Sequence, residues 1–137
     1  MSKTAPKSIA YKSPLDEMTH TTPTSLWNDS AAHAELSYSI EHGGVGATCN
    51  PVIVLDVIKK EADLWNTRIS ALAKEMPRAT EDEIAWRLVE EISAKRAELL
   101  RPIFEQHRGL NGRLSIQTDP HFYRDPDALF LAGAPHR

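Results

Sequence analysis

Val45-Gly-Ala-Thr-Cys-Asn-Pro51 decides the fold. Small and β-branched residues over 45–50 suit a short strand, and the run ends on Asn50-Pro51, an N-cap followed by the residue whose φ is already set for a first helical turn. A strand is therefore handed directly to a helix. Beyond it Val54, Ile58, Ala62, Trp65, Ile69, Leu72 and Met76 recur at helical spacing and predict one helix that stops at Pro77. Thr80-Glu-Asp-Glu83 then reads as a capping box, opening a second helix with the stripe Ile84, Leu88, Ile92, Leu99 and Ile103. Pro102 is expected to kink or split that helix near its end, and Gly109 and Gly112 close it.

Working outward, Thr24–Asp29 reads as a strand ending in polar residues. Ser30–His42 reads as a short helix with Ser30 as N-cap, Ala32, Leu36 and Ile40 as its stripe, and Gly43 as its stop. On the other side, Arg113–Asp119 alternates, with Leu114, Ile116 and Thr118 on one face and Ser115, Gln117 and Asp119 on the other. The order strand, helix, strand, two helices, strand argues for the α/β class, a parallel sheet covered by helices.

The 137 residues suit one domain of ordinary size. A net charge of −3 excludes a general nucleic-acid binder, which needs a basic face. No apolar run approaches the roughly 20 residues of a membrane span. Residues 1–21 carry Pro6, Pro14, Lys3, Lys7 and Lys12 without an apolar block, so they read as a flexible lead, ordered near Pro23, and not as a secretory signal. The single cysteine, Cys49, forms no internal disulfide and fits a reducing, cytoplasmic compartment. Six histidines stand without ligand spacing, so no metal site is expected. Trp65 and Trp86 read as packing residues, and Lys59 and Lys60 as a solvated helix face.

All three strands end in polar side chains: Asp29, then Thr48 and Asn50, then Gln117 and Asp119. In parallel α/β folds that end carries the ligand site. Alternation sets Thr48 and Asn50 on one face and Cys49 on the other. A second reading stays open at this point, in which Asp29, Asn50 and Asp119 are simply caps and turn formers.

Three motifs in order add to this. Thr22-Pro-Thr-Ser-Leu-Trp-Asn-Asp-Ser30 resembles the first strand of the transaldolase family. Gly46-Ala-Thr-Cys-Asn-Pro51 resembles its second-strand motif. Gly112-Arg-Leu-Ser-Ile-Gln-Thr-Asp119 resembles its third, with Tyr123 and Asp125 following. The resemblance covers about residues 11 to 125. It implies a partial TIM (β/α)8 barrel of about three βα units, with long helices between strands 2 and 3. Residues 22–125 would be the amino-terminal part of the barrel and 126–137 a divergent or truncated tail. It also implies dihydroxyacetone transfer between sugar phosphates in the pentose phosphate pathway, through a Schiff base on a fourth-strand lysine and without metal or organic cofactor. Such chemistry needs the amine as an electron sink and a carboxylate as proton shuttle.

By the same resemblance, Asp29 matches the acid–base aspartate, and Thr48 and Asn50 match residues that hold sugar hydroxyls. Gln117 falls where classical transaldolases carry a glutamate. Glutamine exchanges no proton near neutral pH and can only orient water or substrate. The fructose-6-phosphate aldolase branch also has glutamine there, which keeps aldol cleavage open. Every lysine lies at or before Lys95, ahead of the third strand. The arginines that follow are not nucleophilic. A barrel needs about 250 residues and eight strands. The expectation is therefore a truncated, transaldolase-like chain that is inactive alone. The alternatives are a non-catalytic interaction remnant, self-associating through two open sheet edges, and one half of a split aldolase.

Overall fold

The computed structural model describes residues 10–132. Helix α1 spans Pro14–Thr21, strand β1 Leu26–Asn28, helix α2 His33–Glu41 and strand β2 Gly44–Cys49. Helices α3 (Pro51–Lys60), α4 (Ala62–Glu75) and α5 (Glu81–Gln106) follow, then β3 (Arg113–Ile116), a 3-10 turn over Pro120–Arg124 and α6 (Pro126–Ala132). The strands form one parallel sheet in the order β1-β2-β3, as the alternation of strands and helices requires.

Asn50 starts α3 as expected, its Oδ1 accepting from the Val52 and Ile53 N–H groups at 2.9 and 3.0 Å. Thr80 and Glu83 form the capping box of α5. Residues on one face of the sheet point to the helices. Ala47 packs with Leu36 and Leu100, and Cys49 sits among Val54, Val57, Trp65, Leu72, Leu88, Val89 and Ile92. Leu114 joins both clusters from β3. Gly46 and Thr48 stand on the opposite face. There Gly46 lies flat against Trp27, and a Cβ at Gly46 would stand 2.5 Å from the indole.

Several expectations are corrected. The helix expected over 51–76 breaks at Glu61, where φ is −119° and ψ is 37°. The reason is that the Glu61 carboxylate is engaged elsewhere. It accepts from Trp65 Nε1 at 3.0 Å and the His33 N–H at 3.2 Å, and it pairs with Arg96. Ser30 is not the N-cap of α2. It stands two residues before the cap position, its Oγ accepting from the Ala32 N–H at 3.1 Å, and the first N–H of the helix goes to Glu61 instead. Pro102 does not split α5. It stands in the last turns with Glu98 on the exposed side, where the carbonyl that loses its partner can meet water.

Part of the expected lead is helical. Ser13 Oγ accepts from the Asp16 N–H at 3.1 Å, and Asp16 Oδ2 accepts from the Lys12 N–H at 2.9 Å, a reciprocal cap for α1. Lys12 Nζ reaches the Glu41 carbonyl at 2.7 Å and ties α1 to the end of α2. The first nine residues of that lead lie outside the described residues. In the tail, 126–132 form α6, and residues 133–137 lie outside the described residues. Strand β3 ends at Ile116, three residues early, because Asp119 turns to cap the 3-10 turn through the His121 N–H at 2.9 Å.

Candidate functional site

The parallel register builds the site. Asn28 pairs with Ala47, and Thr48 pairs with Ser115, so the residues just past β1 lie level with Thr48. Thr48 Oγ1 donates to Asp29 Oδ1 at 2.6 Å. This bond fixes one carboxylate oxygen of Asp29 and leaves the other as a free acceptor toward solvent. Asp29 is exposed and Thr48 partly so. Trp27, two residues before Asp29, shares its face and is 39% exposed.

One step along the strands, Asn50 and Gln117 come level, since Cys49 pairs with Ile116 and the Gln117 N–H donates to the Cys49 carbonyl at 3.1 Å. The side chain of Gln117 is exposed. Asn50 has its oxygen committed to the α3 cap, which leaves its Nδ2 as the group able to meet a ligand. The cap reading of Asn50 is thus realised in the fold. Asp119 is likewise engaged. The His121 N–H, and then the His121 ring at 2.8 Å, hold its carboxyl below the usual range.

Two nearby features were not legible as site elements. A cavity of about 220 Å³ beside Asp29 is lined by Ser30, Glu35, Asp56 and Lys60. Lys60 Nζ donates to Glu35 Oε1 at 2.5 Å. That hydrogen bond, with the Glu35 charge, raises the Lys60 pKa. Lys60 is therefore a protonated partner of Glu35 and a poor nucleophile, although it is the lysine that lines a cavity with Asp29. A groove of about 260 Å³ runs from Gln117 and Asp119 along Trp86, Val89, Ile116 and Phe122. Trp86 packs against the core as expected and also forms this wall.

Cys49 lies on the helix-facing side, 3% exposed. Burial pushes its thiol up from its ordinary value, and it stays a small packing residue. Arg96, also 3% exposed, is the larger omission from the sequence reading. Its Nε donates to the Ala31 carbonyl at 2.8 Å and one Nη donates to Glu61. Burial pushes the Glu61 carboxyl up, but bonds from Trp65, the His33 N–H and Arg96 outweigh it and leave the pKa lowered. No residue spacing announces this cluster, because its members come from α2, α4, α5 and the segments beside α2 and α4. A charged residue at position 96, on the stripe that runs from Leu88 through Ile92 to Leu99, is the one available signal.

Among the described residues no group of three or more His, Cys, Asp or Glu side chains could hold a metal ion. None of their helices is long and apolar enough to cross a membrane.

The chain is similar to a transaldolase of Thermobifida fusca (strain YX), with 33% identity over 84 residues. The match takes in 61% of this chain and 22% of that protein, so it spans about a fifth of the length of the curated relative. This is a partial relationship at the family level. No family model matches the chain, and no solved structure matches it.

Proposed function

We propose that this chain supplies the first strand ends of a transaldolase-type sugar-phosphate site in a TIM-barrel architecture. The Asp29–Thr48 hydrogen bond across adjacent parallel strands carries the reading. Asp29 is the proton shuttle, oriented by Thr48 so that one oxygen stays available to a substrate hydroxyl or a water. Thr48 and the Asn50 Nδ2 hold sugar hydroxyls, and Gln117 orients water without exchanging a proton. The partial similarity to a transaldolase supports the substrate class.

Schiff-base chemistry needs an uncharged amine at the strand ends. The lysines of this chain all precede β3, and Lys60 is held protonated by Glu35. The nucleophile is therefore supplied from outside these residues, and this chain alone forms no ketose adduct. Borohydride reduction with fructose 6-phosphate tests this. The expected mass spectrum of the chain alone shows no reduced adduct, and a ketose adduct on any of its lysines overturns the reading. When a polypeptide carrying the lysine-bearing remainder of a transaldolase is added, turnover is expected. Asp29→Asn should then lower it by about 10²–10⁴-fold. Both transfer and aldol cleavage are to be assayed, because Gln117 suits either.

A second reading rests on the sheet edges. Among the described residues, β1 and β3 each pair on one side only. Unpaired edges template association with a further strand. Sedimentation would read this as a concentration-dependent dimer or larger species, and a compact monomer across the range would exclude it.

A further inference from the structure

None of Asp29, Thr48, Asn50 or Gln117 lines a further cavity, larger than the two beside the strand ends. It is an open cleft of about 520 Å³ between the α3–α4 break and α5. That volume lies within the range of small-molecule sites. His33, Lys59, Lys60, Lys95 and Arg96 reach it, and the first turn of α4 opens onto it through Ala62, Asp63 and Leu64.

The charges are not evenly matched. Lys60 is taken by Glu35. Glu61 is taken by Arg96. Lys59 has no acidic partner among the described residues. Lys95 has only the face of Trp65, 5.3 Å from its Nζ. Against these two ammonium groups stands one carboxylate without a partner, Asp63. Arg96 adds a further donor. Its Nε and one Nη are bonded, and its other Nη has no protein acceptor among the described residues. Arg96 is among the residues that line the cleft. The guanidinium is held by the Ala31 carbonyl and Glu61, so it is a pre-oriented donor.

We propose that this cleft binds a small phosphate-bearing molecule, with the free Nη of Arg96 and the Lys59 and Lys95 ammonium groups on its phosphoryl oxygens. Two ammonium groups and a guanidinium against one unpartnered carboxylate suit a multiply charged anion, and lysine binds phosphate as a point charge. The site is separate from the strand ends and does not depend on their chemistry.

The test uses the whole ¹⁵N-labelled chain titrated with inorganic phosphate at constant ionic strength, with chloride as reference. Saturable amide shifts are expected at residues 59–64 and 95–96, and they should be absent in chloride. The exposed pair Lys59→Ala/Lys95→Ala should weaken the association at least tenfold, and Lys74→Ala, at an exposed position outside the cleft, should leave it unchanged. Shifts that do not saturate, that chloride reproduces, that gather at 117–119 instead, or that survive the double substitution overturn the proposal.

Discussion

Replacing Arg96 by methionine removes one partner of a buried ion pair and leaves the rest of the cluster in place. The Arg96 side chain is 4% exposed and that of Glu61 21%. Methionine fills much of the volume of the arginine stem, so cavity formation is a small part of the effect. The losses are the charge opposite Glu61 and the donor to the Ala31 carbonyl. Breaking a buried pair from one side costs about 3–5 kcal/mol, because the remaining charge stays desolvated. Glu61 keeps the Trp65 and His33 donors and some water, which puts the expected loss at the low end, about 3 kcal/mol. That is a large share of a total of about 5–15 kcal/mol. With a urea m-value of about 1.5 kcal/mol/M, the midpoint should fall by about 2 M. Removing both charges, Arg96→Met with Glu61→Met, should recover part of the loss, since an apolar pair carries no stranded ion. Urea unfolding followed by circular dichroism reads both variants. A single-variant shift under about 0.5 M, or a double variant no more stable than the single, would refute the claim that the cost comes from the stranded carboxylate.

The lowered pKa of Glu61 has a pH consequence. A carboxyl depressed in the folded state adds stability above its unfolded pKa of about 4.3, and that stability is lost as pH falls through the folded value. Wild-type stability should therefore drop on acidification below that point more steeply than Glu61→Gln, as measured by urea midpoints from pH 7 to 3. Gly46→Ala drives a methyl into the Trp27 indole and should cost about 1–3 kcal/mol. Trp27→Ala in the same chain should relieve most of that increment, which a thermal melt series would show. Asn50→Ala removes two capping bonds and should cost about 1 kcal/mol, with Asn50→Ser losing less in the same melts.

The sheet was legible because its signals are local. Asn50-Pro51, the Thr80–Glu83 box and the alternation of 113–116 each depend on neighbours within four residues, and each stands where local physics puts it. The same is true of the face assignment. Cys49 and Ala47 turn to the helices and Thr48 turns away, as a period of two dictates. The break at Glu61 was not legible. The stripe Ile58, Ala62, Trp65 continues across it, and the cause lies in bonds to His33 and Arg96, 28 and 35 residues distant. The α1 cap is a different kind of miss. Ser13-Pro-Leu-Asp16 is a local cap in which Pro14 stands at the first helical position, where proline favours a helix although proline elsewhere in the segment opposes one. At the site, the Asp29–Thr48 contact follows from strand register once the sheet is parallel. The engagement of Asn50 by its helix was one of two readings that sequence alone left open.

Where the core lies bears on how the site could be altered. Ala47, Cys49 and Leu114 carry the sheet's share of the apolar contacts, and all of them face α2 to α5. Asp29, Thr48 and Gln117 stand on the other face or at its rim, and none belongs to either apolar cluster. Their removal creates no cavity. The one interaction lost with Asp29 or Thr48 is a hydrogen bond at an exposed position, a net effect of about 1 kcal/mol. Asn50 is the exception, since the same side chain that would meet a sugar hydroxyl also starts α3. Under the proposed function, a loss of turnover at Asp29, Thr48 or Gln117 is therefore separable from unfolding. A loss at Asn50 must first be separated from unfolding, which the Asn50→Ser variant does by keeping an acceptor for the cap while deleting the Nδ2 donor.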